Sequence, residues 1–286
     1  MDPGLRDRLA GLGDVMQVQP QGGGDFAQAF IVDLTDGRRV FAKTHRDPPP
    51  GFFTTEAAGL RWLDRAGAIA VPDVLLVADD DPACLVLSWV QPGGSRSHAT
   101  EAAFGDALAR LHAVGAPCFG REDRRTTGSL ALPNDPTADW ASFYVEQRLV
   151  PLARCAADRG ALPSPVLASI ETVAGQIEEF GGTGEPPARL HGDLWAGNRL
   201  LDRAGRSWLI DPAAHGGHRE FDLAMMRLFG GFGDAAFAAY RQRHPLADGW
   251  EQRIDLHQLA PLIVHAIKFG GGYVGAVESA LARLRE

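Results

Sequence analysis

The chain has 286 residues, of which 45% are hydrophobic and 22% charged, and this size and composition suit one large globular domain or two lobes. The net charge of −8 and the lack of a basic stripe argue against nucleic acid as a partner. The sequence contains no run of about 18 apolar residues, so we expect no membrane span. Its start lacks an apolar segment, so we expect no signal peptide. The three isolated cysteines favour reduced thiols and a cytoplasmic location.

Residues 1–90 predict a small α+β lobe built on an antiparallel sheet. Residues 30–34 alternate apolar and polar side chains, Asp36-Gly37 is a typical tight-turn pair, and a second strand follows at residues 39–42, which predicts a hairpin. The remaining elements predicted for this lobe are one main helix over residues 54–66, closed by Gly67, and strands over residues 74–77 and 85–90.

Residues 91–286 predict a larger and mostly helical lobe. A Pro-Gly-Gly-Ser stretch at residues 92–95 breaks the strand pattern, so we place the hinge between the lobes at about residues 88–94. Ser164 is expected to cap a helix whose first residue is Pro165. The elements predicted for this lobe are helices over residues 100–113, 139–159 and 165–180, short strands over residues 199–201 and 207–210, and further helices from residue 219 onward.

The segment from residue 190 to residue 212 carries the clearest chemical pattern. His191, Asp193 and Asn198 have the H-x-D-L-x-x-x-N spacing of the catalytic loop of eukaryotic-type kinases. After a short apolar strand, Asp211 stands where kinases place a metal-binding aspartate. We therefore expect Asp193 to be the catalytic base for a substrate hydroxyl, and Asn198 and Asp211 to hold Mg²⁺ together with ATP. Taken alone, each aspartate could instead stabilise a turn.

Lysine is scarce in this chain. Of the 28 basic residues, 26 are arginine, and only Lys43 and Lys268 are lysine. Lys43 ends a Val-Phe-Ala-Lys strand that resembles the V-A-I-K strand of kinases, whose lysine contacts ATP phosphates. Glu56 falls on the apolar stripe of the predicted helix, where a carboxylate is costly unless paired, so we expect a Lys43–Glu56 ion pair. For Lys268, a specific role and chance both remain open.

Two further segments are predicted to contact the nucleotide. Gly23 and Gly24 lie in a G-x-G-x-x-A pattern before the hairpin, which is close to a glycine loop that covers phosphates, although glycine clusters are also common in turns. Ser88, Trp89 and Val90 end the last strand of the small lobe, and backbone groups at that position could hydrogen-bond adenine.

Other interpretations of the same residues remain open. Asp222 could stabilise a helix N-terminus or could brace the catalytic loop. A nucleotide-binding module without catalysis is possible, and so is a metal-dependent hydrolase, although a hydrolase would leave the glycine loop without a role. The metal ligands of such a hydrolase would be His191, Asp193, Asp211, His215 and His218.

Longer stretches resemble the fructosamine kinase family, also called ketosamine 3-kinases, within the aminoglycoside phosphotransferase-like branch of the protein kinase-like fold. The H-G-D motif alone indicates only the branch, whereas H-G-D-L-W-A-G-N at residues 191–198, D-L-A-M at 222–225 and L-F-G-G-F at 228–232 indicate this family. Further matches, at residues 23–25, 53–60, 127–129, 139–140 and 146–149, extend the resemblance over nearly the whole chain.

This resemblance implies a two-lobed α+β kinase fold and ATP- and Mg²⁺-dependent phosphorylation of a sugar 3-hydroxyl. The acceptor would be a fructosamine or ribulosamine, small or protein-bound, and phosphorylation would remove the adduct. Asp193 would be the base, Asn198 and Asp211 the metal ligands, and Lys43 the phosphate contact, while Trp195 could stack on the sugar. A related kinase acting on an aminoglycoside or an amino alcohol is the alternative. We expect a monomer or a homodimer.

Three places depart from the family pattern. Ala27 replaces a common asparagine, and Ser88 replaces a common acidic hinge residue, and both positions concern the nucleotide. Arg124 and Arg125 stand in a D-R-R-T stretch where D-N-Y-I is usual before T-G-S. Two arginines there could favour an anionic substrate, so the identity of the acceptor remains open.

Overall fold

The computed structural model describes residues 3–22, 27–124, 126–182 and 184–285. The first part of the chain forms an antiparallel sheet of five strands in the order β1-β2-β3-β5-β4. The elements of this lobe are α1 (Pro3–Ala10), β1 (Val15–Gln21), β2 (Gln28–Leu34), β3 (Arg39–Thr44), α2 (Phe52–Asp64), β4 (Val74–Ala78) and β5 (Cys84–Ser88).

Side-chain alternation sorts this sheet into two faces. Val86 of β5 packs with Leu5 of α1 on one face, whereas Leu85 packs with Leu60 of α2 on the other. Lys43 is the register partner of Leu85 in the β3–β5 ladder, and partners of a ladder project to the same face. The lysine therefore lies on the α2 side of the sheet.

The second lobe is mostly helical. Its first helix, α3 (His98–Val114), begins with a capping box in which Ser97 accepts a hydrogen bond from the Thr100 N–H. The other elements are β6 (Thr126–Thr127), β7 (Leu132–Pro133), α4 (Trp140–Tyr144), α5 (Val150–Asp158), α6 (Ser164–Gly175), β8 (Ala188–Leu190), β9 (Arg199–Leu201), β10 (Ser207–Leu209), β11 (His215–Gly217), α7 (Glu220–Leu228), α8 (Asp234–Arg243), α9 (Ile254–Phe269) and α10 (Gly272–Arg283). Among the residues described, no helix is both long and apolar enough to cross a membrane.

Two small ladders in this lobe position the loops that matter for chemistry. β8 pairs with β11, and β9 pairs with β10, both antiparallel. The loop from β8 to β9 carries Asp193, and the loop from β10 to β11 carries Asp211. Since the two ladders share these connections, the two loops are held side by side.

Most of the predicted elements are confirmed, with differences at their ends. The predicted helix over residues 139–159 contains a π-helical segment, Val145–Leu149, between α4 and α5. The strand predicted for residues 85–90 ends earlier, at Ser88. The elements α1, β1, β6, β7, β8 and β11 were not predicted, because they are short or, as in β1, largely exposed and without apolar alternation.

The prediction that Ser164 caps its helix is wrong. The carbonyl oxygen of Pro163 accepts hydrogen bonds from the N–H groups of Val166 and Leu167, so Pro163 is the N-cap and Ser164 is already helical. The helix also ends at Gly175, and a separate 3₁₀ turn (Ile177–Phe180) covers the remaining residues of the predicted span.

Candidate active site

An ion pair joins the sheet to α2. Lys43 Nζ lies 2.9 Å from Glu56 Oε1, and both side chains are largely buried. Burial alone would lower the pKa of Lys43, but attraction by Glu56 and by Asp211 outweighs it and raises that pKa above its ordinary value. The lysine is therefore charged at neutral pH, and the pair expected from the sequence is formed.

Asp211, which belongs to the helical lobe, contacts the same lysine. Its Oδ1 atom lies 2.5 Å from Lys43 Nζ. Asp211 has φ of 55°, in the left-handed region that residues with side chains rarely adopt. The residue before it is held in place because the Ile210 N–H donates to the carbonyl of Asn198 over 3.0 Å. A backbone held in this conformation at the edge of a cleft is typical of functional sites.

The loop after β8 carries Asp193 in a fixed position. His191 is fully buried, its Nε2 lies 2.9 Å from the Ile210 carbonyl, and its Nδ1 accepts from the Asp193 N–H over 3.2 Å. The amide nitrogen of Asn198 donates to the Asp193 carbonyl at 2.8 Å and to its carboxylate at 3.1 Å. Burial raises the pKa of Asp193, and the nearby cationic groups and the Asn198 hydrogen bond oppose that rise.

Asp222 braces this loop from the start of α7. Its carboxylate accepts hydrogen bonds from the backbone N–H groups of His191 at 2.8 Å and of Gly192 at 2.9 Å. The Nε2 of His112 lies 3.2 Å from the same carboxylate. Although burial would raise the pKa of Asp222, the hydrogen bond from His112 helps to lower it. Of the two roles left open by the sequence, the structure shows the bracing role.

These residues line a cleft of about 580 Å³ between the lobes. Lys43, Glu56, Asp193, Asn198 and Asp211 all reach it. The predicted hinge residues Ser88, Trp89 and Val90 line it as well, and so does Trp195. Gly23 and Gly24 lie outside the described residues, although the neighbouring Gly22 and Ala27 line the cleft.

The hinge residues differ in what they can offer to a ligand. The Ser88 N–H donates to the Asp73 carbonyl over 2.9 Å, and its Oγ accepts from the Asp73 N–H over 2.8 Å. Both groups of Ser88 are therefore engaged within the small lobe. The backbone of Trp89 and Val90 follows directly after this anchored position.

Trp195 lies at the mouth of the cleft, two residues after Asp193. Its side chain is 41% exposed, and its ring centroid is 6.3 Å from that of Phe229. A Cβ atom at Gly197 would lie 2.2 Å from the indole ring, so only glycine at that position leaves room for the ring. The tryptophan thus presents an exposed aromatic surface beside the predicted base.

Sequence reasoning missed some contributors and left others undecided. The brace from His112 to Asp222 had no local signal, because the two residues are 110 positions apart. Lys268 of α9 also lines the cleft, which the sequence left open. Arg124 bonds the carbonyl of Asp123 and is not among the described cleft residues, and Arg125 lies outside the described residues.

The structure does not assemble the hydrolase ligands considered above. His215 Nδ1 lies 2.8 Å from the Ala213 carbonyl, and His218 Nε2 lies 2.9 Å from the Gly182 carbonyl. Within the described ranges, the histidine and acidic side chains that converge are instead His218, Glu220 and His257. The Glu220 carboxylate there is occupied by two hydrogen bonds from Arg253.

The chain is similar in sequence to known proteins over most of its length. The fructosamine kinase family model matches residues 8–286. A "probable ketoamine kinase" of Lactiplantibacillus plantarum is 36% identical over 276 residues, covering 94% of this chain and 95% of that protein. The "protein-ribulosamine 3-kinase, chloroplastic" of Arabidopsis thaliana is 32% identical, covering 84% of this chain and 74% of that protein.

The chain is also similar to solved structures. A crystal structure from Thermobifida fusca, named as a candidate fructosamine-3-kinase, has a TM-score of 0.91 and 39% identity, and the match covers 100% of both chains. An ADP-bound aminoglycoside phosphotransferase, with a TM-score of 0.69 and 15% identity over 99% of this chain and 98% of the other, shares the fold alone. The predicted α+β, kinase-like two-lobed fold is confirmed, and the chain belongs to the fructosamine kinase family.

Proposed function

We propose that this protein is an ATP-dependent ketosamine kinase, which phosphorylates a sugar hydroxyl of a fructosamine or ribulosamine. The observation that carries the proposal is the convergence of Lys43, Glu56 and Asp211 on one side of a cleft that also contains Asp193 and Asn198. This set supplies the groups that phosphoryl transfer requires, namely a carboxylate for the hydroxyl, oxygen ligands for a metal ion and a cation for the phosphates. We keep residues 1–90 and 91–286 as the two lobes, with the hinge at about residues 88–94.

Asp193 is the proposed catalytic base. Its carboxylate is oriented by Asn198, and its loop is held by His191 and Asp222. The acceptor hydroxyl oxygen forms a bond to the γ-phosphorus of ATP and transfers its proton to Asp193. The bond from that phosphorus to the bridging oxygen breaks, and its electron pair stays with ADP. The products are ADP and the sugar phosphate.

Asn198 and Asp211 are the proposed Mg²⁺ ligands. The amide nitrogen of Asn198 is directed to Asp193, which leaves its Oδ1 atom as a ligand oxygen. Asp211 presents a carboxylate whose Oδ1 now contacts Lys43. Carboxylate and amide oxygens are the hard ligands that Mg²⁺ prefers, so these residues fit the ion. When bound, Mg²⁺ would neutralise phosphate charge.

The small lobe is the proposed nucleotide site. Lys43 would contact the phosphates, Gly23 and Gly24 would cover them, and the hinge backbone at Trp89 and Val90 would hydrogen-bond adenine. In this proposal, Ser88 fixes the hinge through its two hydrogen bonds to Asp73. The adenine ring would be enclosed by apolar cleft residues from both lobes, namely Phe41, Leu87, Leu200 and Ile210.

The sugar is proposed to stack on Trp195, whose exposed indole follows the proposed catalytic base, Asp193, by two residues. Small and protein-bound ketosamines both remain candidate acceptors. Three cysteines without disulfide bonds, Cys84, Cys118 and Cys155, support a cytoplasmic location. A monomer or homodimer and the lack of a nucleic-acid partner remain predictions.

The proposal is tested by measuring ADP release with ribulose-lysine and fructose-lysine side by side, with and without Mg²⁺. Aminoglycosides and amino alcohols form the second half of the acceptor panel. We expect Mg²⁺-dependent ADP release with at least one ketosamine and little with the other acceptors. Release only with an aminoglycoside or an amino alcohol would refute the ketosamine assignment.

A further inference from the structure

Both lysines of this chain line the same cleft. Lys43 and Lys268 are 225 positions apart in sequence, and each reaches the space between the lobes. Among the described residues of the cleft wall there is neither an arginine nor a histidine, although the chain contains 26 arginines. A chain that uses arginine almost everywhere else therefore uses lysine at this site.

Arginine and lysine differ in the partners they suit. The planar guanidinium pairs with a carboxylate through two parallel hydrogen bonds, whereas the compact ammonium acts on phosphate as a point charge. At three carboxylates of the helical lobe this chain uses arginine, although Lys43 pairs with Glu56 in the cleft itself. The arginine pairs are Arg199–Glu101, Arg219–Glu185 and Arg253–Glu220. A lysine on the wall of a proposed ATP cleft is thus better suited to a phosphoryl group than to a carboxylate on the acceptor.

Lys268 lies on the part of the cleft wall that the helical lobe contributes. It lies in the last turn of α9, whose residues Ile263 and Ala266 are buried in the core of the helical lobe. One turn earlier, the His265 ring contacts the rings of Phe229 and Tyr273, with centroids 5.0 Å apart in both cases. These contacts fix the end of the helix that carries the ammonium.

The charge balance of the cleft also calls for a second cation. Glu56, Asp193 and Asp211 bring three carboxylates to it, and Lys43 is engaged with two of them. Lys268 adds a second positive charge to the cleft wall, which also contains Asp193. The transferring phosphoryl group has to approach this same carboxylate.

We propose that Lys268 is a further catalytic residue, whose ammonium contacts the oxygens of the phosphoryl group during its transfer from ATP to the acceptor. The proposal rests on the kinase function proposed above. As the bond to ADP breaks and the bond to the acceptor oxygen forms, negative charge is spread over the three non-bridging oxygens. A cation fixed beside them stabilises this arrangement more than it stabilises bound ATP.

The test compares Lys268→Gln, Lys268→Arg and the wild type, with Arg241→Gln as a control that removes one charge from an exposed position on α8. Lys268→Gln should lower kcat roughly 10- to 100-fold with every acceptor, while the acceptor KM stays within about threefold. Lys268→Arg should recover only part of kcat, and Arg241→Gln should match the wild type.

A second measurement separates catalysis from folding. Aluminium fluoride together with ADP mimics the transferring group, so Lys268→Gln should weaken binding of ADP–aluminium fluoride by about the same factor as kcat and leave binding of ADP alone unchanged. This pattern cannot arise from a misfolded variant, because the same protein still binds ADP.

The opposing result is equally specific. If Lys268 instead binds a carboxylate of the acceptor, Lys268→Gln will raise KM for ribulose-lysine and leave turnover of a ribulosyl-alkylamine, which has no carboxylate, unchanged. That outcome, or an unchanged kcat, overturns the proposal. If the wild type prefers another alcohol as acceptor, the Lys268 variants and the wild type are compared with that alcohol. A wrong ketosamine assignment is then distinguishable from a wrong role for Lys268.

Discussion

Lys43 donates a 2.5 Å hydrogen bond to Asp211, and this bond joins the sheet to the loop that follows β10. The same ammonium is 2.9 Å from Glu56, so one lysine connects three parts of the chain. Lys43 thereby balances the charge of Asp211, a proposed metal ligand, and holds it beside the sheet.

Replacing Glu56 with glutamine should weaken use of ATP. The change removes the charge from one of the two carboxylates that contact Lys43 and weakens a charge-assisted hydrogen bond by roughly 1–3 kcal/mol. We therefore expect kcat/KM for ATP to fall about 10- to 100-fold. Steady-state kinetics with varied ATP would measure this loss. Glu278→Gln, at an exposed position on α10, is the matched control and should behave like the wild type. Equal kinetics for the two variants would show that the ion pair does not position Lys43.

Asp222→Asn should damage turnover more than nucleotide binding. The buried carboxylate accepts from two backbone N–H groups and from His112, and an amide cannot accept from all three. Leaving at least one donor unsatisfied costs about 1–3 kcal/mol, so Tm and kcat should both fall. Thermal unfolding and ADP release on one preparation would measure both effects. A lower Tm with unchanged kcat would mean that the brace serves stability alone.

Trp195→Ala should affect the sugar rather than ATP. Loss of the exposed indole removes a stacking surface beside Asp193, and we expect the acceptor KM to rise about tenfold, an effect of roughly 1.4 kcal/mol. Trp195→Phe keeps an aromatic face and should retain most of the affinity. Kinetics with each substrate varied in turn give the answer, and equal increases in both KM values would count against sugar stacking.

Stability should decline as the pH falls below about 6.5. Burial lowers the pKa of His218 to about 4. Burial would raise the pKa of Glu220, but the neighbouring His257 and two hydrogen bonds from Arg253 lower it to about 2. The ordinary values are about 6.5 and 4.3, so the unfolded chain binds more protons than the folded one in acid. His218 contributes to the loss between about pH 6.5 and 4, and Glu220 between about pH 4.3 and 2.

Unfolding temperatures recorded from neutral pH to about pH 4 test this account. A shift of the His218 pKa from its ordinary value to about 4 corresponds to about 3 kcal/mol of lost stability. The His218→Gln variant should show a flatter decline, whereas His98→Gln, at an exposed position, should follow the wild type. A wild-type Tm that stays constant over this range would contradict the linkage.

Local signals in the sequence predicted much of the site. The catalytic-loop spacing, the Val-Phe-Ala-Lys strand and the carboxylate on an apolar helix face predict Asp193, Lys43 and Glu56 as site residues, and the three line one cleft in the structure. The first two are patterns of residues close together in the chain. The third rests on the free-energy cost of burying the Glu56 carboxylate unpaired, which Lys43 could offset. The location of Lys268 in the cleft could not be predicted, because no spacing rule connects the end of α9 to the catalytic loop.

The errors have the same origin. The brace between Asp222 and His112 depends on how α3 and α7 pack, which composition does not reveal. The cap at Ser164 was misassigned because the carbonyl of Pro163, which no side-chain preference describes, starts the helical hydrogen bonds. Tertiary packing and backbone bonding decided these details.

The most direct test of the account is Mg²⁺-dependent ADP release with a ketosamine, measured for the wild type and for Asp193→Asn alongside ATP binding to both. We predict turnover by the wild type, a loss of roughly 100- to 10,000-fold in the variant, and nearly equal ATP affinity for the two proteins. Turnover retained by Asp193→Asn, or the lack of any transfer to a ketosamine by the wild type, would contradict it.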